Sequence, residues 1–260
     1  MQAARWARLR RTVLYSQTII GRPFASMPSK QEKTPMARLL HHQLDPASRL
    51  VRLMFSEYGV AIELVETKPW ARDPKFLELN PAATVPVLLE TGEPPIVGTL
   101  ATLHAVEERY SPSVVVGLFP PKGSERAETW RLLEWVLLKL NDEVTRYVLE
   151  EKIIKRDRKS GTPDPAVLRA AKANLSEHMH YFNWVLASRH WLAGDTMTLA
   201  DFALAAHLST LDYLGDVRWD TANEVKDWYA RMKSRPAFRT LLNDRVVGMP
   251  AHQGYADLDF

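Results

Sequence analysis

The sequence predicts a small α/β half followed by an all-helical half, on three observations. Short apolar runs alternate with helical patterns over residues 37–110, a stretch rich in proline and glycine runs from Pro112 to Gly123, and apolar residues then recur at three and four almost to the end. The fold opens at Met36, where Ala37-Arg38-Leu39-Leu40-His41-His42 reads as a strand. Pro46 starts a helix with Leu50, Leu53 and Met54 on one face, and Gly59 ends it. Ala61-Ile62-Glu63-Leu64-Val65 alternates as a second strand. Lys68 to Pro74 is irregular, and Phe76-Leu77-Glu78-Leu79 makes a short helix broken by Asn80-Pro81. Val85 to Leu89 is a third strand, Glu90 to Glu93 turns the chain toward Ile96-Val97, and Thr99 caps a helix through Tyr110.

In the second half, Trp130, Leu133, Leu137, Leu140, Val144, Tyr147 and Val148 predict a long helix from Glu125 to Glu151 with these residues on its core face. A charged segment, Lys152 to Lys159, leads to a second long helix from near Pro165 to about Ser188. His178 and His180 lie two apart on it, face different directions and cannot chelate one ion. Thr198 and Asp201 have the spacing of a capping box before an apolar helix, with Asp in place of the usual Glu or Gln. The expected organisation is a leader over 1–35 outside the fold, an α/β domain over 36–111, a linker over 112–124, a helical domain over 125–247 and a tail over 248–260.

Composition bounds the function. The 260 residues are 46% hydrophobic and 25% charged, an ordinary globular balance that excludes a fully disordered or fibrous chain. No apolar run is long enough to cross a bilayer, so a soluble protein without integral membrane association is expected. The absence of cysteine excludes disulfides, thiolate metal sites and a cysteine nucleophile. Residues 1–35 hold seven basic side chains against Glu32 alone; the rest of the chain, within a formal net charge of +3, holds 27 basic and 30 acidic groups. The folded part is therefore not a basic surface for nucleic acid. The leader reads as a basic tail or an over-long start with Met36 as initiator. Its Arg10-Arg11 pair precedes a stretch too polar for an export signal.

The order βαβ, short α, ββα over about 75 residues is the thioredoxin-like arrangement. Asn80-Pro81-Ala82-Ala83-Thr84-Val85-Pro86-Val87-Leu88 resembles a segment of the glutathione transferase superfamily, Ser48-Arg49-Leu50-Val51-Arg52 resembles the start of its first helix, and Gly194 to Phe202 resembles its helical-domain cap. The resemblance implies a thioredoxin-like domain followed by an all-helical domain, a cis proline at Pro86, and a Val85 backbone that pairs with glutathione. It also implies ligands this chain lacks: Asp45 stands where theta-like relatives carry a catalytic serine, Ala47 where beta-class relatives carry cysteine, and Gly98 and Thr99 at a glutamate-serine pair. Asp45 would repel a thiolate, while Ser48 keeps a hydroxyl nearby. These remnants predict no conventional glutathione transfer and no cofactor, with glutathione only in the alternative reading. His41 and His42, neighbours on a strand, are expected one buried and one solvated rather than catalytic.

Leu44-Asp45-Pro46-Ala47-Ser48-Arg49, the altered ligands and the ending Tyr255-Ala256-Asp257-Leu258-Asp259-Phe260 together resemble the FtsZ-localised protein A family of alphaproteobacteria. That resemblance implies a non-enzymatic, cytoplasmic homodimer that binds FtsZ filaments at the division site. The alternatives are a glutathione transferase acting on small electrophiles and an RNA polymerase binder of the stringent starvation protein A type. The tail mixes apolar side chains with carboxylates, suiting an interface, with internal docking as the other reading. Trp70 and Arg72, in the irregular loop, are the second expected contact, Trp70 as an exposed aromatic anchor.

Overall fold

The computed structural model describes residues 37–111, 117–120 and 122–258. The leader and its boundary at Met36, residues 112–116 and 121 of the linker, and Asp259 and Phe260 lie outside the described residues. Four strands, β1 (Arg38–His41), β2 (Glu63–Glu66), β3 (Val87–Leu89) and β4 (Ile96–Val97), form a sheet of order β2-β1-β3-β4. β1 runs parallel to β2 and antiparallel to β3, and β3 is antiparallel to β4. The parallel pair needs a crossover, and helix α1 (Pro46–Glu57) supplies it. Strand alternation gives the sheet two apolar faces: Leu39 and Leu88 pack on α1, while Leu40 and Val87 pack on Phe76 of the short helix α2 (Pro74–Leu79) and on Val85.

Helix α3 spans Thr99–Tyr110, but Thr99 is its first residue and not its cap. The cap is Gly98, whose backbone at φ 93° lies in a region glycine enters without the penalty of a Cβ. The long helix, here α4, runs through five contiguous segments from Ser124 to Arg158, with i→i+5 turns over Trp135–Thr145 and Glu150–Ile154. Its buried residues Leu132, Val136, Leu140, Val144 and Val148 keep a spacing of four. In an α-helix that spacing drifts by about 40° per step, and the wider turns reduce the drift and hold the row on the core. Trp130 and Tyr147, expected in this core, are instead exposed. The segment after Glu151 is helical because its charges find partners alongside: Lys155 pairs with Glu151 one turn back, and Lys152 with Asp216. Lys159, left-handed at φ 54°, ends α4.

Helix α5 (Pro165–Leu186) begins at Asp164, whose carboxylate accepts from the Ala166 amide at 2.7 Å. His178 is buried between Trp135 and Glu143, and His180 is exposed. Helix α6 (Leu199–Tyr213) is buried along its whole length. It starts with the capping box, Thr198 accepting from the helix and Asp201 accepting from the Thr198 amide at 2.9 Å. Asp201 also accepts from the Leu192 amide and the Trp228 indole, tying the loop before α6 to α7 (Asn223–Lys233). A short α8 (Arg239–Leu242) precedes a tight turn at Val246–Met249 and the tail. α1 packs along α6, so one apolar core continues from the sheet into the helices.

Candidate functional site

A cleft of about 370 Å³ opens where the end of β1, the turn Pro69–Ala71 and the loop 82–85 face the last turns of α4. Local chemistry builds each wall. Asn80 shapes the loop by donating from Nδ2 to the Thr84 carbonyl at 2.8 Å and accepting from the Ala82 amide at 3.0 Å. The loop then enters the cis Val85-Pro86 bond with Val85 in the lining. Arg72 closes the turn before α2 in a left-handed conformation, φ 52°, and also lines the cleft. Leu149, Ile153 and Ile154 make the apolar wall on α4.

Of the glutathione-site remnants, only Asp45 and Val85 reach this cleft. Asp45 caps α1, accepting from the Ser48 amide at 2.7 Å, and burial raises its carboxyl to about 6. Ser48 does not offer a free hydroxyl: it is fully buried, with its Oγ accepting from the His42 amide, and it is absent from the lining. Gly98 and Thr99 likewise sit at the start of α3, outside the lining. His41 and His42 are both buried, against the expectation that one is solvated. β1 is an interior strand, and the chain beyond it is covered in turn by Trp70, whose ring meets His42 edge-on at 4.8 Å. Burial lowers His41 to about 3 and His42 to about 4, so both are neutral at pH 7. The Leu44 amide donates to His42 Nδ1, which leaves the proton on Nε2, 3.6 Å from Glu66.

Trp70 is therefore a half-buried side chain packed on the cleft rim, correcting its reading as an exposed anchor. The tail needs a larger correction. Tyr255 is 1% exposed and packs edge-on against Tyr213, so its side chain is withdrawn from any partner. Its hydroxyl accepts from Arg49 Nη1 at 3.0 Å and donates to the Leu241 carbonyl at 3.3 Å. Beyond it Asp257 and Leu258 are exposed, with the Asp257 carbonyl accepting from the buried Lys233. The tail is thus strapped down at Tyr255 and again at the Asp257 carbonyl, with the Asp257 and Leu258 side chains exposed.

The strap ends in a buried ionic network that sequence reasoning missed. Arg49 donates to Ser209 at 2.8 Å, to Asp244 at 3.2 Å and to the Gln43 carbonyl at 2.7 Å. Arg52 forks onto both oxygens of Asp244, at 3.0 and 2.8 Å. The available signal was two arginines three apart among Leu50, Val51, Leu53 and Met54, in the otherwise apolar middle of the helix.

Comparison with known proteins agrees with this architecture. The family description "Glutathione S-transferase, N-terminal domain" matches residues 40–114, and "Glutathione S-transferase, C-terminal domain" matches residues 164–245. FtsZ-localized protein A of Caulobacter vibrioides is 44% identical over 227 residues, covering 86% of this chain and 98% of that protein. The solved structure of FzlA from C. crescentus is similar with a TM-score of 0.82 at 42% identity, covering 86% of this chain and 100% of that one. A crystal structure of a glutathione S-transferase from Sinorhizobium meliloti 1021 gives the same TM-score, identity and coverage.

Proposed function

The chain belongs to the glutathione S-transferase superfamily, and from that premise we propose that it is a non-enzymatic homodimer that binds FtsZ polymers at the division site. The observation that carries the reading is its likeness to FtsZ-localized protein A along nearly the whole of that relative. The site chemistry supports it from the other side. A carboxylate stands at the start of α1 where a thiolate would need a donor, and the nearest hydroxyl is buried under His42. The candidate contacts are the cleft rim at Trp70 and Arg72 and the tail beyond Tyr255, with Asp257 and Leu258 exposed. Asp259 and Phe260 complete the proposed tail contact.

The dimer half of the proposal has its own surface. Leu100 on α3, Trp130 and Leu138 on α4 and Trp184 on α5 are exposed, Trp184 at 70%, and Trp184 continues a stack through Tyr181 to Trp135. Large apolar side chains grouped on neighbouring helices fit a two-fold interface. A dimer presents each filament contact twice and gains avidity from individually weak ones. No helix among the described residues is long and apolar enough to cross a membrane, which is consistent with work on a filament in the cytoplasm.

A second reading, glutathione transfer to small electrophiles, is favoured by the persistence of the cleft with Val85 and cis Pro86 in place. Co-sedimentation with FtsZ polymers decides between them when run for the parent chain and for Trp70→Ala and Asp257→Lys, each first shown folded and dimeric. The proposal expects both variants to pellet less. If both pellet like the parent, the contact surface is wrong.

A further inference from the structure

Beside the cleft lies a second cavity of about 170 Å³, lined by Lys68, Arg156, Arg245 and the turn Val246–Met249, and the two share His42 and Ile153 in their walls. Four arginines ring the pair, Arg72 and Arg158 at the cleft and Arg156 and Arg245 at the second cavity. Among the described residues none of the four has a carboxylate partner. Arg158 donates to the Trp70 carbonyl, Arg156 to the Gly248 carbonyl at 2.7 Å, and Arg245 to the Leu242 and Asp244 carbonyls at 2.9 and 2.7 Å. A guanidinium has five N–H donors, so most of these remain open.

Arg156 and Arg158 are two apart near the end of α4, about 200° around the axis, which is why one serves each cavity. The partial negative charge of a helix C-terminus favours basic residues there. Three acids line the same walls, Asp45 in the cleft and Glu66 and Asp157 in the second cavity, and they do not cancel the arginines: Asp157 is bound to Lys68 at 2.7 Å, Asp45 caps α1, and burial raises the Glu66 carboxyl to about 7. Apolar contacts accompany the charge, with Ile153 and Ile154 along the cleft and Val247, 95% exposed, at the tip of the turn.

We propose that these two cavities form one docking surface for an extended acidic segment of the partner protein, its carboxylates on Arg72, Arg158, Arg156 and Arg245 and an apolar residue between them over Trp70. The inference rests on the FtsZ-binding reading and adds to it the chemistry of the segment taken. Forked donors suit carboxylates, and the apolar walls suit a peptide better than a nucleic acid, whose bases would need a free aromatic face where Trp70 is already engaged with His42.

The test is fluorescence anisotropy of a labelled peptide, Asp-Leu-Asp-Asp-Leu-Asp, titrated with the full chain at low and high salt. Saturable binding that weakens with salt is expected, with at least a tenfold loss in the Arg156→Gln/Arg245→Gln double variant and a smaller loss in Arg245→Gln alone, which removes no contact between elements of the fold. Arg146→Gln, an exposed arginine elsewhere on α4, should bind as the parent does. No binding by the parent, equal binding of the Lys-Leu-Lys-Lys-Leu-Lys peptide, equal binding of a six-nucleotide oligothymidylate, or unchanged affinity in both variants would each overturn the proposal. FtsZ pelleting of the same proteins separates the two levels. Peptide binding without pelleting of the parent removes FtsZ as the partner and leaves the surface standing, whereas undiminished pelleting of a double variant that has lost the peptide places the FtsZ contact elsewhere and overturns the inference.

Discussion

Asp244→Asn tests whether the buried network holds the two halves and the tail together. Asp244 is almost wholly buried and takes three guanidinium hydrogen bonds, one from Arg49 and two from Arg52, both of which are themselves buried. Amidation leaves two cations facing a neutral carbonyl, and breaking one side of a buried ion pair costs about 3–5 kcal/mol. Asn keeps one oxygen acceptor and Arg49 keeps Ser209, Tyr255 and the Gln43 carbonyl, so the low end, ~3 kcal/mol, is expected. At roughly 2–4 °C per kcal/mol for a body of this size, the melting temperature should fall by about 6–12 °C. Urea unfolding followed by circular dichroism at pH 7 measures it, with an unchanged denaturant slope confirming that the folded state is the same. Adding Arg52→Gln should recover part of the loss, because it removes one of the stranded charges. A loss below about 1 kcal/mol, with no recovery in the double variant, would refute the reasoning by showing that the arginines reach water when Asp244 is neutral.

Three further outcomes are expected. His207, fully buried against Thr145 and lowered by burial to about 3, resists a proton that the unfolded chain takes up near pH 6.5. Its contribution is therefore complete above pH 6.5 and is lost as pH falls, and His207→Asn should remove about 2 kcal/mol of the destabilisation between pH 7 and pH 5. Denaturation at the two pH values checks this, and identical slopes for parent and variant contradict it. Asp201→Ala strands the Leu192 and Thr198 amides and the Trp228 indole in the core and should cost more than ~3 kcal/mol, against ~1 kcal/mol for Thr198→Ala. Equal melting temperatures would sink that ranking. Conjugation of a generic electrophile with glutathione should stay at background, and turnover that Ser48→Ala abolishes would restore the enzymatic reading.

The parts legible in the sequence are those written in neighbouring residues. Asp45-Pro46 announces the start of α1, and Thr198 with Asp201 announces α6, because a cap is satisfied within three residues. What stayed hidden depends on partners far along the chain. Nothing near Tyr255 signals that Arg49, 206 residues away, takes its hydroxyl into the core. The charged run after Glu151 looked like a helix end until Asp216 supplied Lys152 with a partner. One of His41 and His42 looked solvated because period-two alternation assumes an open sheet face, but both are buried, and Trp70 covers His42 from a turn 28 residues on. The second cavity was hidden too, since it assembles Lys68, Arg156 and Arg245 from three separate segments.

The central claim, a transferase-like scaffold that binds a filament, is tested most directly by sedimenting the full chain with increasing amounts of polymerised FtsZ. The account predicts saturable movement of the chain into the pellet with polymer and none with unpolymerised FtsZ. A chain that stays in the supernatant at every polymer concentration, while folded and dimeric, would contradict it.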